Sequence, residues 1–288
     1  MNDSRKRTPP SRTQRTREHK AKYNPGLITR FTFNTFVVGQ SNLMAFNAAQ
    51  LVAGTVAYPY SPLVIHGDAG VGKTHLLHAI GNHIMTTHSK AVSVVTAEAF
   101  TNDYITALQN RELTQFRSRH RKVDALLMDA VQFLSGKERM QEQLLFTLNA
   151  LHDTGKLVVV TADRPLHNIA GMEARLVSRL EAGLCVGIDH PDRETCLTIL
   201  RRKLDTMDAS IPEDCLAYIA TVADYSGRTL EGALIRAVSY RMLSGKDLTL
   251  PILKRQLKDF TEKRQPDLKG SQATEAKGNP NDREPGIT

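Results

Sequence analysis

Little in this sequence points outside the cell or into a membrane. Its three cysteines, Cys185, Cys196 and Cys215, are odd in number and form no C-x-x-C pair, which argues against a disulfide framework and against a zinc site. A reducing cytoplasm is the expected compartment. No apolar stretch approaches the roughly eighteen residues of a membrane span, and the N-terminus lacks the apolar core of a secretory signal. Nor is there an internal repeat, so repeat arrays are excluded.

What the chain does have is an uneven excess of positive charge. Lys and Arg number 38 against 30 Asp and Glu, a net charge of +8. Residues 1–22 hold eight of those cations against Asp3 and Glu18 and contain almost nothing apolar, so they cannot offset the entropy of ordering. They read as a disordered basic arm. Two roles stay open for it: lying along nucleic-acid phosphates with salt-dependent affinity, or serving as a solvated tail. At the other end, residues 263–288 mix Gly, Pro, Lys and Glu without periodicity and read as a disordered tail. The 288 residues suffice for one large or two smaller cores.

One stretch carries recognisable chemistry. Gly67-Asp68-Ala69-Gly70-Val71-Gly72-Lys73-Thr74 satisfies the phosphate-loop pattern G-x-x-x-x-G-K-[ST], follows the apolar run Leu63-Val64-Ile65 and precedes a helical stretch beginning with His75. Strand, glycine loop and helix are the context the pattern needs. Glycines let the backbone turn tightly and approach phosphate, so that successive N–H groups face one anion at a helix N-terminus. Lys73 would place a point charge on the outer phosphates, and the Thr74 hydroxyl would hold magnesium.

The elements alternate from here. Strands are predicted near 63–65, 91–96, 125–129, 157–161 and 184–188, separated by helices near 74–87, 98–109, 112–119, 138–152 and 173–181. A further helix, 43–54, precedes the first strand, with Ser41-Asn42 as its expected cap. Continuous apolar strands between helices imply an α/β domain over 23–190, a five-stranded parallel sheet covered on both faces. From Pro191 the pattern is helical throughout, with starts near Asp192, Pro212 and Thr229, so 191–262 reads as a smaller all-helical domain.

Further candidates sit at strand ends and helix starts. Asp129 closes an apolar strand, where a carboxylate either holds magnesium or caps the next turn. Ala130 follows, a methyl group where a hydrolytic site wants a carboxylate to activate water, and loss of such a base slows turnover by about 10² to 10⁴. Asp163 lies at the carboxyl edge of the sheet, where ligands bind. Arg175 and Arg179 are four apart on one helix; they can serve a neighbouring subunit's γ-phosphate or be ordinary surface arginines. Arg228 opens a later helix with the same two readings.

Taken in order, these motifs resemble the ATPase region of the bacterial chromosomal replication initiators, the DnaA family of the AAA+ P-loop class. The resemblance rests on Phe33-Asn34-Thr35-Phe36-Val37-Val38-Gly39, the phosphate loop through Gly81, Asp124-Ala125-Leu126-Leu127-Met128-Asp129, Gly136-Lys137-Glu138-Arg139, Asp163-Arg164-Pro165, Arg175-Leu176 with Ser178-Arg179, and Leu230-Glu231-Gly232-Ala233-Leu234. It implies an AAA+ fold with a helical lid and ATP and magnesium as cofactors. Phe36, Val37 and Val38 would lie beside adenine, Gly67 to Thr74 with His75 around the phosphates, and Thr74 and Asp129 on magnesium. Asp163 would be the first sensor, Arg228 the second, Arg179 the finger given to the next protomer, and Arg175 its neighbour at that interface. Ile105, Lys137 and Arg139 would face single-stranded DNA.

Head-to-tail self-assembly on single-stranded or origin DNA follows from that resemblance. The alternatives are a regulator docking on the full-length initiator through Arg179, and a helicase-loader-like ATPase bound to the replicative helicase. Two departures stand out: Ala130 replaces the family's second acidic residue, and the 28 residues after Phe260 are too few and too polar for the duplex-reading helix-turn-helix.

Overall fold

A computed structural model describes residues 26–55, 60–223 and 226–259. The expected basic arm, 1–22, and tail, 263–288, lie outside the described residues. The chain divides into two compact units, one through Thr195 and one from Cys196. The break falls a few residues beyond Pro191, inside a helix that the two units share.

The first unit begins with an irregular lead-in from Gly26, followed by α1, Leu43–Thr55, and β1, Leu63–His66. Next come α2, Lys73–His88; β2, Val92–Thr96; α3, Ala97–Gln109; α4, Leu113–Arg121; and β3, Ala125–Asp129. Then follow α5, Glu138–His152; β4, Leu157–Ala162; α6, Ala174–Glu181; and β5, Leu184–Gly187. The five strands form one sheet in the order β2-β3-β4-β1-β5, and each pairing is parallel. Its order reverses beside β1, which places the loop after β1 at the crevice where ligands of open α/β sheets bind.

Two cores explain why these strands are apolar at successive positions. Alternate side chains point to opposite faces, so Val64, Leu126, Met128, Val158 and Val160 join Phe100, Phe116, Leu144 and Leu176 from the α3, α4, α5 and α6 side. Their sequence neighbours Leu63, Ile65, Leu127, Leu157 and Val159 join Val52, Leu76, Leu77, Ile80 and Ile84 of α1 and α2. Truncating a fully buried leucine such as Leu127 to alanine costs about 2–5 kcal/mol.

One local expectation is corrected, and some elements appear that none anticipated. Asn42 does not cap α1: its Oδ1 accepts from Gly39 N at 2.9 Å and its Nδ2 donates to Val37 O at 3.0 Å, so it clamps the lead-in instead. Two 3₁₀ turns, Val131–Leu134 and Leu166–Asn168, follow β3 and β4, too short to leave a periodic signature. The second unit starts its first three helices within two residues of the expected positions and adds a fourth. It comprises α7, Arg193–Met207, which begins before the break; α8, Glu213–Val222; α9, Gly227–Ser244; and α10, Leu250–Gln256. α9 begins ahead of Thr229, and α10 opens on Leu250-Pro251, the place in a helix where a missing N–H costs nothing. Leu200, Leu216, Ile219, Leu230, Leu234 and Leu253 form its own core with Cys196 and Cys215.

Candidate nucleotide site

β1 delivers the chain to Gly67, from which the backbone takes left-handed conformations at Gly67, Gly70 and Gly72, with φ of 146°, 85° and 109°. Side chains are excluded as well. A Cβ on Gly67 would stand 2.2 Å from the Ile188 carbonyl oxygen, and one on Gly72 would stand 2.9 Å from the Phe36 ring. The loop then feeds directly into α2, which has no side-chain cap and no acidic residue in its first turn. A helix end of that kind suits an anion, because the dipole and the terminal N–H groups favour negative charge.

Lys73 Nζ lies over the loop, donating to the carbonyls of Gly67 at 2.5 Å and Asp68 at 2.7 Å. Beneath it, Thr74 Oγ1 donates to Asp129 Oδ2 at 2.8 Å. This brings together the hydroxyl and the carboxylate that the sequence offers for magnesium, although they are separated by 55 positions. Both are oxygen donors of the kind that ion takes. Asp129 Oδ1 is held from the other side by the Thr161 hydroxyl, which itself accepts the Ala130 N–H at 2.9 Å. Thr161 was not foreseen. Its only signal is a hydroxyl inside the otherwise apolar β4 run, and in the fold it is fully buried.

Ala130 adopts a left-handed φ of 62°. A residue with a Cβ holds that conformation at a cost of about 1–2 kcal/mol, and Asp or Asn tolerates it better than Ala.

The lead-in is fastened to α2 by side chains one turn apart. His75 stacks on the Phe31 ring at 4.7 Å and bridges Thr32 O and Thr35 Oγ1. His78 Nδ1 accepts the Ile28 N–H at 3.1 Å, so its proton is on Nε2. Asn82 Nδ2 donates to the Ile28 and Phe31 carbonyls at 3.0 and 2.8 Å. Burial lowers the His78 pKa from its ordinary value, with the Asp129 charge opposing the shift. These contacts position Phe36, which is buried against Phe46 and His75 at the base of the phosphate loop, while Val38 is exposed on the same segment.

The remaining predicted residues are more dispersed. Asp163 at the end of β4 pairs with its neighbour Arg164 at 3.0 Å. Arg175 and Arg179 share a groove of about 580 Å³ with Leu145, Asn149, Ser178 and Ala182. Ile105, Lys137 and Arg139 are exposed. Arg228 lies in the first turn of α9, in the second unit. None of Lys137, Arg139, Arg175, Arg179 and Arg228 forms an ion pair among the described residues.

Comparison with known proteins gives this arrangement a family. The sequence profile of the bacterial DnaA ATPase domain matches residues 27–187, more than half of the chain. The chain belongs to the bacterial DnaA ATPase-domain family. It is 44% identical over 244 residues to the chromosomal replication initiator protein DnaA of Geobacter sulfurreducens, covering 84% of this chain and 54% of that one. The chain thus spans about half the length of this curated relative.

Domain III of the Thermotoga maritima replication initiation protein DnaA superposes with a TM-score of 0.79 at 39% identity, over 82% of this chain and 99% of that one. A replication initiator DnaA bound to AMPPCP and single-stranded DNA superposes at 0.71 with 30% identity, over 81% of this chain and 70% of that one. RuvB of Thermotoga maritima, at 15% identity and a TM-score of 0.59, shares the AAA+ fold alone. Within the DnaA family frame, the parallel five-stranded sheet and its phosphate loop are therefore those of an AAA+ domain. No helix among the described residues is long and apolar enough to cross a membrane.

Proposed function

We propose that this chain binds ATP with magnesium at the loop Gly67 to Thr74 and assembles on DNA in a nucleotide-dependent manner, in chromosomal replication initiation or its control. The observation that carries the reading is the Thr74–Asp129 contact at 2.8 Å directly under the loop and Lys73. A hydroxyl and a carboxylate so placed can share one cation while the loop amides and Lys73 take the phosphates. Thr74 and Asp129 would hold magnesium, whose charge would offset that of the phosphates. The DnaA bound to AMPPCP and single-stranded DNA supports both halves by similarity.

Roles for the other residues follow the family pattern. Phe36 to Val38 flank adenine, with Phe36 acting through its packing against the loop. Asp163 is the first sensor and Arg228 the second, and Arg179, with Arg175 beside it, reaches the nucleotide of the next protomer. A finger given forward in this way makes a head-to-tail contact that need not close. Ile105, Lys137 and Arg139 contact single-stranded DNA, the cations through phosphates.

Filter binding to a single-stranded oligonucleotide with ATP, ADP or no nucleotide, at two salt concentrations, tests the proposal. ATP-dependent binding that weakens with salt and is lost in Lys73→Ala and Arg139→Ala is the expected result. Absence of DNA binding under every nucleotide condition refutes the DNA half; absence of adenine-nucleotide binding refutes the whole.

Ala130 favours a second reading, a regulator that docks on a full-length initiator through Arg179. A chain poor at its own turnover can still donate an arginine to a partner's site. Under this reading, assembly on DNA requires the initiator to be present.

A further inference from the structure

Asp68 is the one acidic residue in the phosphate loop. A carboxylate next to a concavity of N–H groups is a potential occupant of it, since Asp side chains readily accept backbone N–H bonds two or three residues ahead. In the structure its carboxylate is engaged elsewhere: Asp68 Oδ2 lies 2.9 Å from His190 Nε2. Arg164 also feels it, its guanidinium being held above the ordinary range first by Asp163 and in part by the Asp68 charge.

The segment bearing His190 is held to the end of β1, to the lead-in and by its own helix cap. Ile188 N donates to His66 O at 2.8 Å, Asp189 N to Ser41 O at 3.1 Å, and Thr195 N to Asp192 Oδ1 at 2.7 Å. Gly67 lies so close to the Ile188 carbonyl, and Gly39 so close to Thr195, that neither site has room for a Cβ. His190 is therefore presented to Asp68 by a braced backbone, immediately before the helix that leads into the second unit.

We propose that His190 is a positioning residue for nucleotide binding: its imidazole holds the Asp68 carboxylate out of the phosphate concavity, which keeps the loop N–H groups available to the anion. The inference rests on the nucleotide-binding reading above. Without the imidazole, Asp68 competes with the phosphates, both as a rival acceptor and as a like charge. Because the pair is solvent-exposed, the effect is bounded by what surface ion pairs achieve, about two- to fivefold in affinity.

The test is a set of four proteins, wild type, His190→Ala, Asp68→Ala and the double variant, with a fifth, His190→Gln, which keeps a side-chain N–H donor. Equilibrium titration with a fluorescent ATP analogue in magnesium gives the Kd of each, and thermal melting confirms that all are folded. The expected result is a two- to fivefold weaker Kd for His190→Ala, partial or full recovery in His190→Gln, and no effect of His190→Ala once Asp68 is alanine. An unchanged Kd in His190→Ala, or the same weakening with and without Asp68, overturns the inference while leaving nucleotide binding intact. Failure of the wild type to bind the analogue overturns both.

Discussion

Replacing Thr161 by valine removes one hydroxyl and almost no volume, so it isolates the polar function of this residue. Two hydrogen bonds are lost together: the one from Ala130 N at 2.9 Å and the one given to Asp129 Oδ1. Leaving a half-buried N–H without its partner costs about 1–3 kcal/mol. The bond to the carboxylate is charge-assisted, but Asp129 keeps Thr74 on its other oxygen and has access to solvent, so its loss adds about 1 kcal/mol. A total of about 3 kcal/mol lowers the melting temperature of a domain of about 170 residues by about 6–12 °C. Thr161→Ser keeps the hydroxyl and loses one buried methyl group, which costs about 1 kcal/mol and 2–4 °C.

The assay is thermal unfolding of the three proteins with and without magnesium ATP. The ligand should raise the wild-type midpoint by mass action and raise that of Thr161→Val by less, because Asp129 is no longer held on both sides. The reasoning is refuted if Thr161→Val melts within 2 °C of wild type, or if Thr161→Ser falls as far as Thr161→Val.

Three further outcomes are expected. Ala130→Asp should raise steady-state ATP turnover by about 10² to 10⁴, the usual contribution of a general base, without lowering the melting temperature, since Asp tolerates the left-handed φ of 62° better than Ala; a coupled phosphate-release assay reads the rate. Gly72→Ala forces a Cβ into a φ of 109° and to 2.9 Å from Phe36, so it should cost about 2–4 kcal/mol and abolish binding of the fluorescent nucleotide. Stability should also fall on acidification. His66, His78 and His120 have pKa values lowered mainly by burial, so the unfolded chain takes up protons first. Their contribution is complete above about pH 6.5 and declines as pH falls below it. Urea midpoints at pH 7.5 and 5.5 measure this, and His78→Asn, which keeps an acceptor for Ile28 N–H, should flatten the difference.

Much of the architecture was legible because each strand and helix announces itself locally. The continuous apolar runs at Leu63, Ala125 and Leu157 read as strands covered on both faces, and the glycine pattern from Gly67 admits few other readings. The site was less legible where it depends on long-range contacts. Asn42 looked like a helix cap and proved to be a clamp on Val37 and Gly39, because its two amide atoms fit a backbone stretch just upstream better than the turn ahead. His78, Asn82 and Thr161 belong to regular elements whose sequence pattern gives no hint of their partners. Thr161 in particular reads as one more β-branched strand residue.

By itself the sequence determined the α/β class, the position of the glycine-rich phosphate-loop motif and the family, since these depend on periodicity, glycine placement and ordered motifs that survive in one dimension. Tertiary structure alone decided that Thr74, Asp129 and Thr161 meet, and that His190 reaches Asp68 across 122 positions. Parallel strands bring their carboxyl ends to one edge whatever their distance along the chain, and no local pattern encodes which side chains will face each other there.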